Sequence, residues 1–279
     1  MTGRGEVRST DGTVIGYRRS GQGPGVILLH GGMKASQHFS GLAAALADRF
    51  TAIVPDRRGR GLSGPHGENF SVMREVEDVQ ALVAATGASR IFGLSSGGLV
   101  ALRSALETPE LERVALYEPP LSVRGSVPTG WVPRYDREIA AGRPAAALAT
   151  ALKGTGVEPV LGRLPRFLLV PMFALGARVE REPAEGEVPI SALIPTQHFD
   201  MRIVEEMADT AGRYAALRTP VLLLGGGRSP ASLGVALQTL EETLPNARRV
   251  TLPGLGHTGP EDEGDPLAVA AELRDFLAA

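Results

Sequence analysis

The sequence predicts an α/β protein with a mostly parallel β-sheet covered by helices on both faces. Two observations predict this fold class: short apolar runs bounded by turn residues recur along the chain, and segments with helical periodicity lie between them. The apolar runs are TVIGYRRSG, GVILLH, TAIVPD, RIFGLS, RVALYEP, PVLLLGGG and RRVTLPG. Several are apolar at consecutive positions, so we expect strands that are buried on both faces.

Three helices between and after these runs are predicted from the spacing of apolar residues. The helix after GVILLH has one apolar face, formed by Phe39, Leu42 and Leu46. The helix after TAIVPD carries four valines on one face between Val72 and Val83, with Ser71 placed to cap it and Gly87 to end it. The last helix opens with Asp265 and Pro266, and its apolar face is formed by Val269, Leu273 and Phe276.

The alternation of strands and helices stops between Leu121 and Leu217. This stretch contains the helix-like segments YDREIAAGRPAAALATALKG and PTQHFDMRIVEEMADT, and prolines interrupt it repeatedly. We therefore predict a core of residues 1–120 and 218–279, with residues 121–217 inserted as a helical cap. Open parallel sheets bind ligands at the carboxyl ends of their strands, so an insertion at this point would cover the site.

Composition narrows the class of partner. The 279-residue chain is 43% hydrophobic and 22% charged with a formal net charge of -2, so we expect a small-molecule substrate and no nucleic acid. The longest apolar stretch, FLLVPMFAL, is broken by Pro171 and is too short to span a bilayer, so no membrane partner is expected. The chain has no cysteine, and its first residues lack the apolar centre of a signal peptide, so we expect a cytoplasmic protein.

The segment from Gly93 to Gly97 matches the pattern G-x-S-x-G, with a predicted strand before it and a helix after it. In this strand-turn-helix context the central serine is a nucleophile on a strained turn, and the small neighbours allow the turn to pack closely. Ser95 is therefore the candidate nucleophile, and Ser96 the donor of a backbone N–H. The alternative is a phosphate-binding glycine-rich turn, but GLSSGG has no phosphate-loop lysine and does not match G-x-G-x-x-G.

A second glycine-containing turn, LLHGGM, follows an earlier strand. It predicts that the backbone N–H of Gly32 lies opposite that of Ser96, which would give two donors for an oxyanion. A simple glycine turn is the alternative. His30 is expected to brace this loop, and the later PDRRGRGLSG loop is expected to be structural.

Together these segments resemble the α/β-hydrolase family, in which His-Gly follows the third strand, D-x-R-G-x-G-x-S the fourth, and the serine turn the fifth. The resemblance spans nearly the whole chain. It implies an eight-stranded sheet, a cap after the sixth strand, and a catalytic triad in the order serine, acid, histidine. Because Ser95 stands where other branches carry aspartate, the epoxide hydrolases and haloalkane dehalogenases fit poorly.

The same resemblance assigns the histidine and raises a question about the acid. The family's histidine follows the last strand, where VTLPGLGHTGPEDEG supplies His257, although a structural loop histidine is the alternative. The usual acid position after the seventh strand holds Arg228, which cannot accept a proton from imidazole. Glu118, after the sixth strand, is the candidate acid, since some family members place it there. It could instead form an ion pair with Arg228.

Weaker acid candidates are Asp200, in the cap, and Glu261 and Asp262, just past His257. All three are expected to be solvated.

These residues predict a serine hydrolase that cleaves a carboxylic ester or lactone of a small apolar substrate, without metal or organic cofactor. A non-hydrolytic or ligand-binding homologue with an impaired triad is the alternative that Arg228 favours. A hydrolase of carbon–carbon bonds would use the same residues. Met33, Trp131 and Phe199 are the candidate substrate-contacting residues; the aromatic ones could equally form the core of the cap.

Overall fold

Eight strands form one sheet in the computed structural model, which describes residues 3–179, 183–184 and 186–279. The strands are β1 (Gly3–Arg8), β2 (Val14–Ser20), β3 (Gly25–Leu29), β4 (Thr51–Pro55), β5 (Arg90–Leu94), β6 (Arg113–Tyr117), β7 (Val221–Gly226) and β8 (Ala247–Leu252). Their spatial order is β1-β2-β4-β3-β5-β6-β7-β8. The β1–β2 and β2–β4 pairs are antiparallel, and the remaining pairs, from β4 across the sheet to β8, are parallel. The predicted fold class, a mostly parallel eight-stranded sheet, is confirmed.

The seven apolar runs form β2 to β8, whereas the pattern did not reveal β1. Its sequence, GRGEVR, is polar, and only Val7 is buried along it. The strand lies at the edge of the sheet and pairs with β2 alone, so its backbone hydrogen bonds, rather than an apolar face, hold it in place.

The helices are α1 (Ser40–Leu46), α2 (Val72–Thr86), α3 (Ser96–Glu107), α4 (Val132–Ala140), α5 (Pro144–Thr155), α6 (Pro159–Gly162), α7 (Arg166–Val179), α8 (Ile190–Leu193), α9 (Gln197–Glu206), α10 (Ala231–Thr243) and α11 (Pro266–Ala278). The predicted ends of α2 and α11 are visible in the backbone. Gly87 ends α2 in the left-handed conformation at φ +68°, and the Asp265 side chain caps α11 by accepting from Ala268 N at 3.0 Å. Ser71 occupies the cap position of α2 without a side-chain capping bond.

The alternation of side chains along the strands divides the core into two layers. In β3, Ile27 and Leu29 pack with α2, α3 and α10, whereas Val26 and Leu28 pack with α1 and α11. Both faces of the parallel strands are therefore buried, as the continuous apolar runs predict.

Between β6 and β7 the described chain is helical and contains α4 to α9; we use the name cap for this segment. The segment YDREIAAGRPAAALATALKG forms two helices, because Gly142 takes a positive φ of 66° and Pro144 starts α5. Helix α9 connects the cap to the core, since Met201, Ile203 and Val204 are buried in the same apolar cluster as α2 and α3.

Candidate active site

Ser95 lies on a strained turn between β5 and α3. Its backbone has φ +55° and ψ -126°, and its N–H donates to Tyr117 O at 2.9 Å. The flanking glycines leave room for this turn. A Cβ on Gly93 would lie 2.3 Å from Gly97 O, and a Cβ on Gly97 would lie 2.5 Å from His30 O. The turn therefore requires glycine on both sides of Ser95.

Glu118 and His257 are in direct contact at the carboxyl ends of the strands. Glu118 follows β6 at φ +47°, is buried, and accepts a hydrogen bond from His257 Nδ1 at 2.7 Å. Its other carboxylate oxygen accepts from Gly226 N at 2.6 Å. Because Glu118 is the acceptor, the proton of neutral His257 lies on Nδ1, and Nε2 carries the free electron pair.

Ser95, His257 and both candidate oxyanion donors line one cavity of about 410 Å³. In the described part of the chain, no protein atom hydrogen bonds to Ser95 Oγ. Contacts between a nucleophile and its base often tighten only in the substrate complex. The arrangement brings a serine, a histidine and a buried carboxylate to one end of the sheet.

The backbone N–H groups of Gly32 and Ser96 face no acceptor among the described residues. Ser96 is the first residue of α3, where helical N–H groups have no partner within the helix and carry partial positive charge. Gly32 lies in the loop after β3. Two free donors beside a serine side chain can stabilise a developing oxyanion.

Apolar side chains form most of the cavity wall. They come from the loops at the strand ends and from the cap, and include Met33, Leu94, Leu148, Leu152, Met201, Val204 and Leu233. A small apolar acyl or alcohol group would lose contact with water in such a cavity.

Comparison with known proteins matches residues 26–272 to the model of the alpha/beta hydrolase family. The chain belongs to this family. It is 30% identical over 272 residues to the pimeloyl-[acyl-carrier protein] methyl ester esterase of Stenotrophomonas maltophilia, covering 93% of this chain and 95% of the relative. It is 25% identical over 270 residues to the 2-(acetamidomethylene)succinate hydrolase of Mesorhizobium japonicum, covering 95% of this chain and 92% of the relative.

A solved alpha/beta hydrolase from Sphaerobacter thermophilus has a similar structure. The TM-score is 0.79 at 34% sequence identity, and the match covers 98% of this chain and 100% of that one. The resemblance drawn from the sequence motifs is therefore confirmed at the level of family and fold.

Arg228, at the family's usual acid position, does not contact Glu118. Its side chain is exposed, and its backbone N–H donates to Leu255 O at 2.9 Å. The ion pair between Arg228 and Glu118 that the sequence left open is not present among the described residues.

Two of the three predicted substrate-contacting residues lie elsewhere. Met33 lines the cavity, but Trp131 and Phe199 do not. Trp131 packs edge-on against Tyr135 and donates from Nε1 to Pro128 O at 3.0 Å. Phe199 stacks on His66, with ring centroids 3.5 Å apart, where the cap meets the core. Neither side chain lies in this cavity, since apolar spacing on a helix does not separate side chains that pack inside the protein from those that face a cavity.

The expectation that Asp200 is solvated was wrong. Asp200 lies on α9 and is 1% exposed. It accepts from Arg57 at 2.9 Å and Arg60 at 2.6 Å, and Ser96 Oγ donates to it at 2.7 Å. Burial alone would raise the pKa of Asp200, but the charges of Arg60 and Arg57 outweigh burial and hold it well below its usual range.

His30 joins the loop after β3 to the loop after β4. It is fully buried, its Nε2 accepts from Arg57 N at 3.2 Å, and its Nδ1 donates to Gly31 O at 3.0 Å. Burial, reinforced by Arg60 and Arg57, lowers the pKa of His30 well below its usual value, so the ring is neutral. These contacts fit a bracing role.

Lys34 and Glu261 form a second charged pair at the cavity. Lys34 Nζ lies 2.8 Å from Glu261 Oε2, and the side chain of Glu261 is only 4% exposed. Glu261 is therefore not solvated as expected, whereas Asp262 is exposed and accepts from Gly41 N at 2.7 Å. The pair ties the loop that carries Gly32 to the loop that carries His257.

Within residues 3–179, 183–184 and 186–279, no helix is both long and apolar enough to cross a membrane, and no group of three or more histidine, aspartate or glutamate side chains could hold a metal ion.

Proposed function

We propose that this chain is a serine hydrolase that cleaves carboxylic esters or lactones of small apolar substrates through an acyl-enzyme on Ser95. The observation that carries the proposal is the contact between Glu118 and His257 at 2.7 Å in the cavity that Ser95 lines. A histidine held by a carboxylate is the group that a serine needs as its base.

The reaction would begin when Ser95 Oγ attacks the substrate carbonyl carbon and its proton passes to His257 Nε2. Glu118 stabilises the imidazolium that results, and the N–H groups of Gly32 and Ser96 donate to the oxyanion. Collapse of the tetrahedral intermediate breaks the ester C–O bond, and the leaving alcohol takes the proton from His257. Water then attacks the acyl-enzyme by the same route, releases the carboxylic acid and restores Ser95. From a lactone, acid and alcohol leave as one molecule.

The exposed position of Arg228 favours this proposal over a binding protein with an impaired triad. That alternative rested on a missing acid, and Glu118 supplies a carboxylate to His257 by another route. The name of the Stenotrophomonas maltophilia relative, a methyl ester esterase, also supports a carboxylic ester as the bond cleaved. The apolar wall of the cavity supports a small apolar acyl group.

Labelling with a fluorophosphonate tests the proposal. An activated Ser95 attacks the phosphorus and expels fluoride, so intact mass should show one adduct and peptide mapping should locate it on Ser95. The labelled protein should lose its turnover of p-nitrophenyl butyrate. Ser232→Ala is the matched control, because Ser232 lines the same cavity but belongs to α10 and not to the strained turn. It should label and turn over like the wild type, whereas Ser95→Ala should do neither.

Labelling that survives in Ser95→Ala, or turnover that is independent of Ser95, would overturn the proposed acyl-enzyme.

A further inference from the structure

The oxyanion donors are in contact with charged and polar side chains of the cap. A Cβ added to Gly32 would lie 2.5 Å from Gln197 Oε1 and 3.2 Å from Asp200 Oδ2, so α9 lies directly against this residue. Asp200 also accepts a hydrogen bond from the hydroxyl of Ser96. One cap carboxylate thus binds the hydroxyl of Ser96 and lies close to Gly32, the two residues whose N–H groups would hold the oxyanion.

Asp200, Ser96 and Arg57 form a closed hydrogen-bonded ring. Ser96 Oγ donates to Asp200 Oδ1 at 2.7 Å, Arg57 Nη1 donates to Ser96 Oγ at 2.9 Å, and Arg57 Nη1 also donates to Asp200 Oδ1 at 2.9 Å. Glu75 holds the remaining side of Arg57 through two hydrogen bonds, at 2.6 and 2.9 Å. Arg60 donates to the second oxygen of Asp200. Two partners, each anchored by further ion pairs, therefore hold the Ser96 hydroxyl.

Charge explains why an aspartate can lie beside an oxyanion site. An isolated carboxylate there would repel the developing negative charge. Arg57 and Arg60 offset the charge of Asp200, and Arg57 brings a positive group within 2.9 Å of Ser96 Oγ. Burial of the whole cluster keeps water from screening these interactions.

We infer that Asp200 is a positioning residue, which fixes the Ser96 N–H through the Ser96 hydroxyl. This inference rests on the proposed function. Its physical ground is that a donor stabilises an oxyanion only when held at hydrogen-bond distance from it, so a small displacement of Ser96 slows the chemical step and leaves substrate binding unchanged.

Ser96→Ala is the decisive variant. It removes the hydroxyl, keeps the backbone N–H, and leaves Asp200 paired with both arginines, so no buried charge loses its partner. We expect kcat on p-nitrophenyl butyrate to fall about tenfold and KM to stay within about twofold, since complete loss of an oxyanion donor costs about 100-fold to 1000-fold. Asp200→Asn also removes the carboxylate that pairs with Arg57 and Arg60, so it should lower kcat further. The double variant should be no slower than Asp200→Asn, because the Ser96 hydroxyl acts through Asp200.

A boronic acid inhibitor supplies a readout that a purely structural role would not move. It forms a tetrahedral adduct with Ser95, so its Ki should rise in Ser96→Ala by about the factor that kcat falls, while KM does not follow.

Asp78→Asn is the matched control. Asp78 is a buried carboxylate paired with Arg58 at 2.6 Å, and it does not line the cavity. This variant should lose thermal stability and keep its kcat at 25 °C. If Ser96→Ala retains the kcat and Ki of the wild type, or raises KM alone, the inference is wrong. If the wild type itself shows no turnover that depends on Ser95, the proposed function fails instead.

Discussion

Replacement of Glu118 by glutamine tests the geometry of the proposed triad. The carboxylate accepts two hydrogen bonds, from His257 Nδ1 at 2.7 Å and from Gly226 N at 2.6 Å, whereas an amide has one acceptor oxygen. The Gly226 N–H can only donate, so the amide oxygen stays there and the NH₂ group turns towards His257. This favours the tautomer with its proton on Nε2, which cannot accept the proton of Ser95.

The expected loss follows from two effects: the wrong tautomer is stabilised, and the imidazolium loses its buried countercharge. Together they should raise the barrier by about 4–5 kcal/mol, which lowers kcat about 1000-fold to 10000-fold. Initial rates on p-nitrophenyl butyrate measure kcat, and thermal unfolding checks the fold. Glu110→Gln, at an exposed glutamate, is the control and should match the wild type. A folded Glu118→Gln variant within tenfold of wild-type kcat would refute the role of Glu118 in orienting His257.

Three further predictions concern stability. Gly97→Ala should lower the free energy of unfolding, measured by urea denaturation, by more than about 4 kcal/mol, because the added Cβ would lie 2.5 Å from a backbone carbonyl oxygen. Gly234→Ala is the control: its added Cβ has no atom within 4 Å, and the variant should raise the free energy of unfolding by about 0.5 kcal/mol. Burial, with a neighbouring arginine, lowers the pKa of His66 from 6.5 to about 3. The unfolded chain then binds more protons between those values, so the free energy of unfolding should fall below pH 6.5, by about 2 kcal/mol at pH 5. His66→Gln should abolish that dependence, and an unchanged pH profile would contradict it. Lys34→Met should lower the free energy of unfolding by about 3 kcal/mol at pH 8, because it leaves Glu261 charged and unpaired. The double variant Lys34→Met/Glu261→Gln should recover most of this loss. Equal stability of the single and double variants would argue against a stabilising ion pair.

Local sequence was sufficient for the fold because the signals that define it are local. Consecutive apolar residues form the inner strands, and helical spacing forms α2 and α11 with their ends at Gly87 and Asp265. The edge strand β1 lacked such a signal, since its partner strand and not its own apolar content holds it.

The strained turn at Ser95 could be predicted for the same local reason. Gly93 and Gly97 surround Ser95 within five residues, and the clash that a Cβ would cause at either glycine is a property of that one turn.

The charged contacts of the site could not be predicted in this way. The partner of His257 is Glu118, 139 positions earlier, and the partners of Asp200 lie 143 and 140 positions away, at Arg57 and Arg60. Sequence alone left Glu118 open between His257 and Arg228, because both follow strands that neighbour each other in the sheet.

The sequence by itself determined strands β2 to β8, the helical character of the segment between β6 and β7, and the strained serine turn, since each depends on the order of nearby side chains. Only the tertiary structure decided which carboxylates are buried and what they bind. Whether a carboxylate is solvated or buried depends on the cationic side chains that folding brings within about 3 Å of it, and no local sequence pattern predicts that distance. The same holds for Phe199, whose apolar ring faces His66 and not the cavity because the packing of α9 on the core turns it that way.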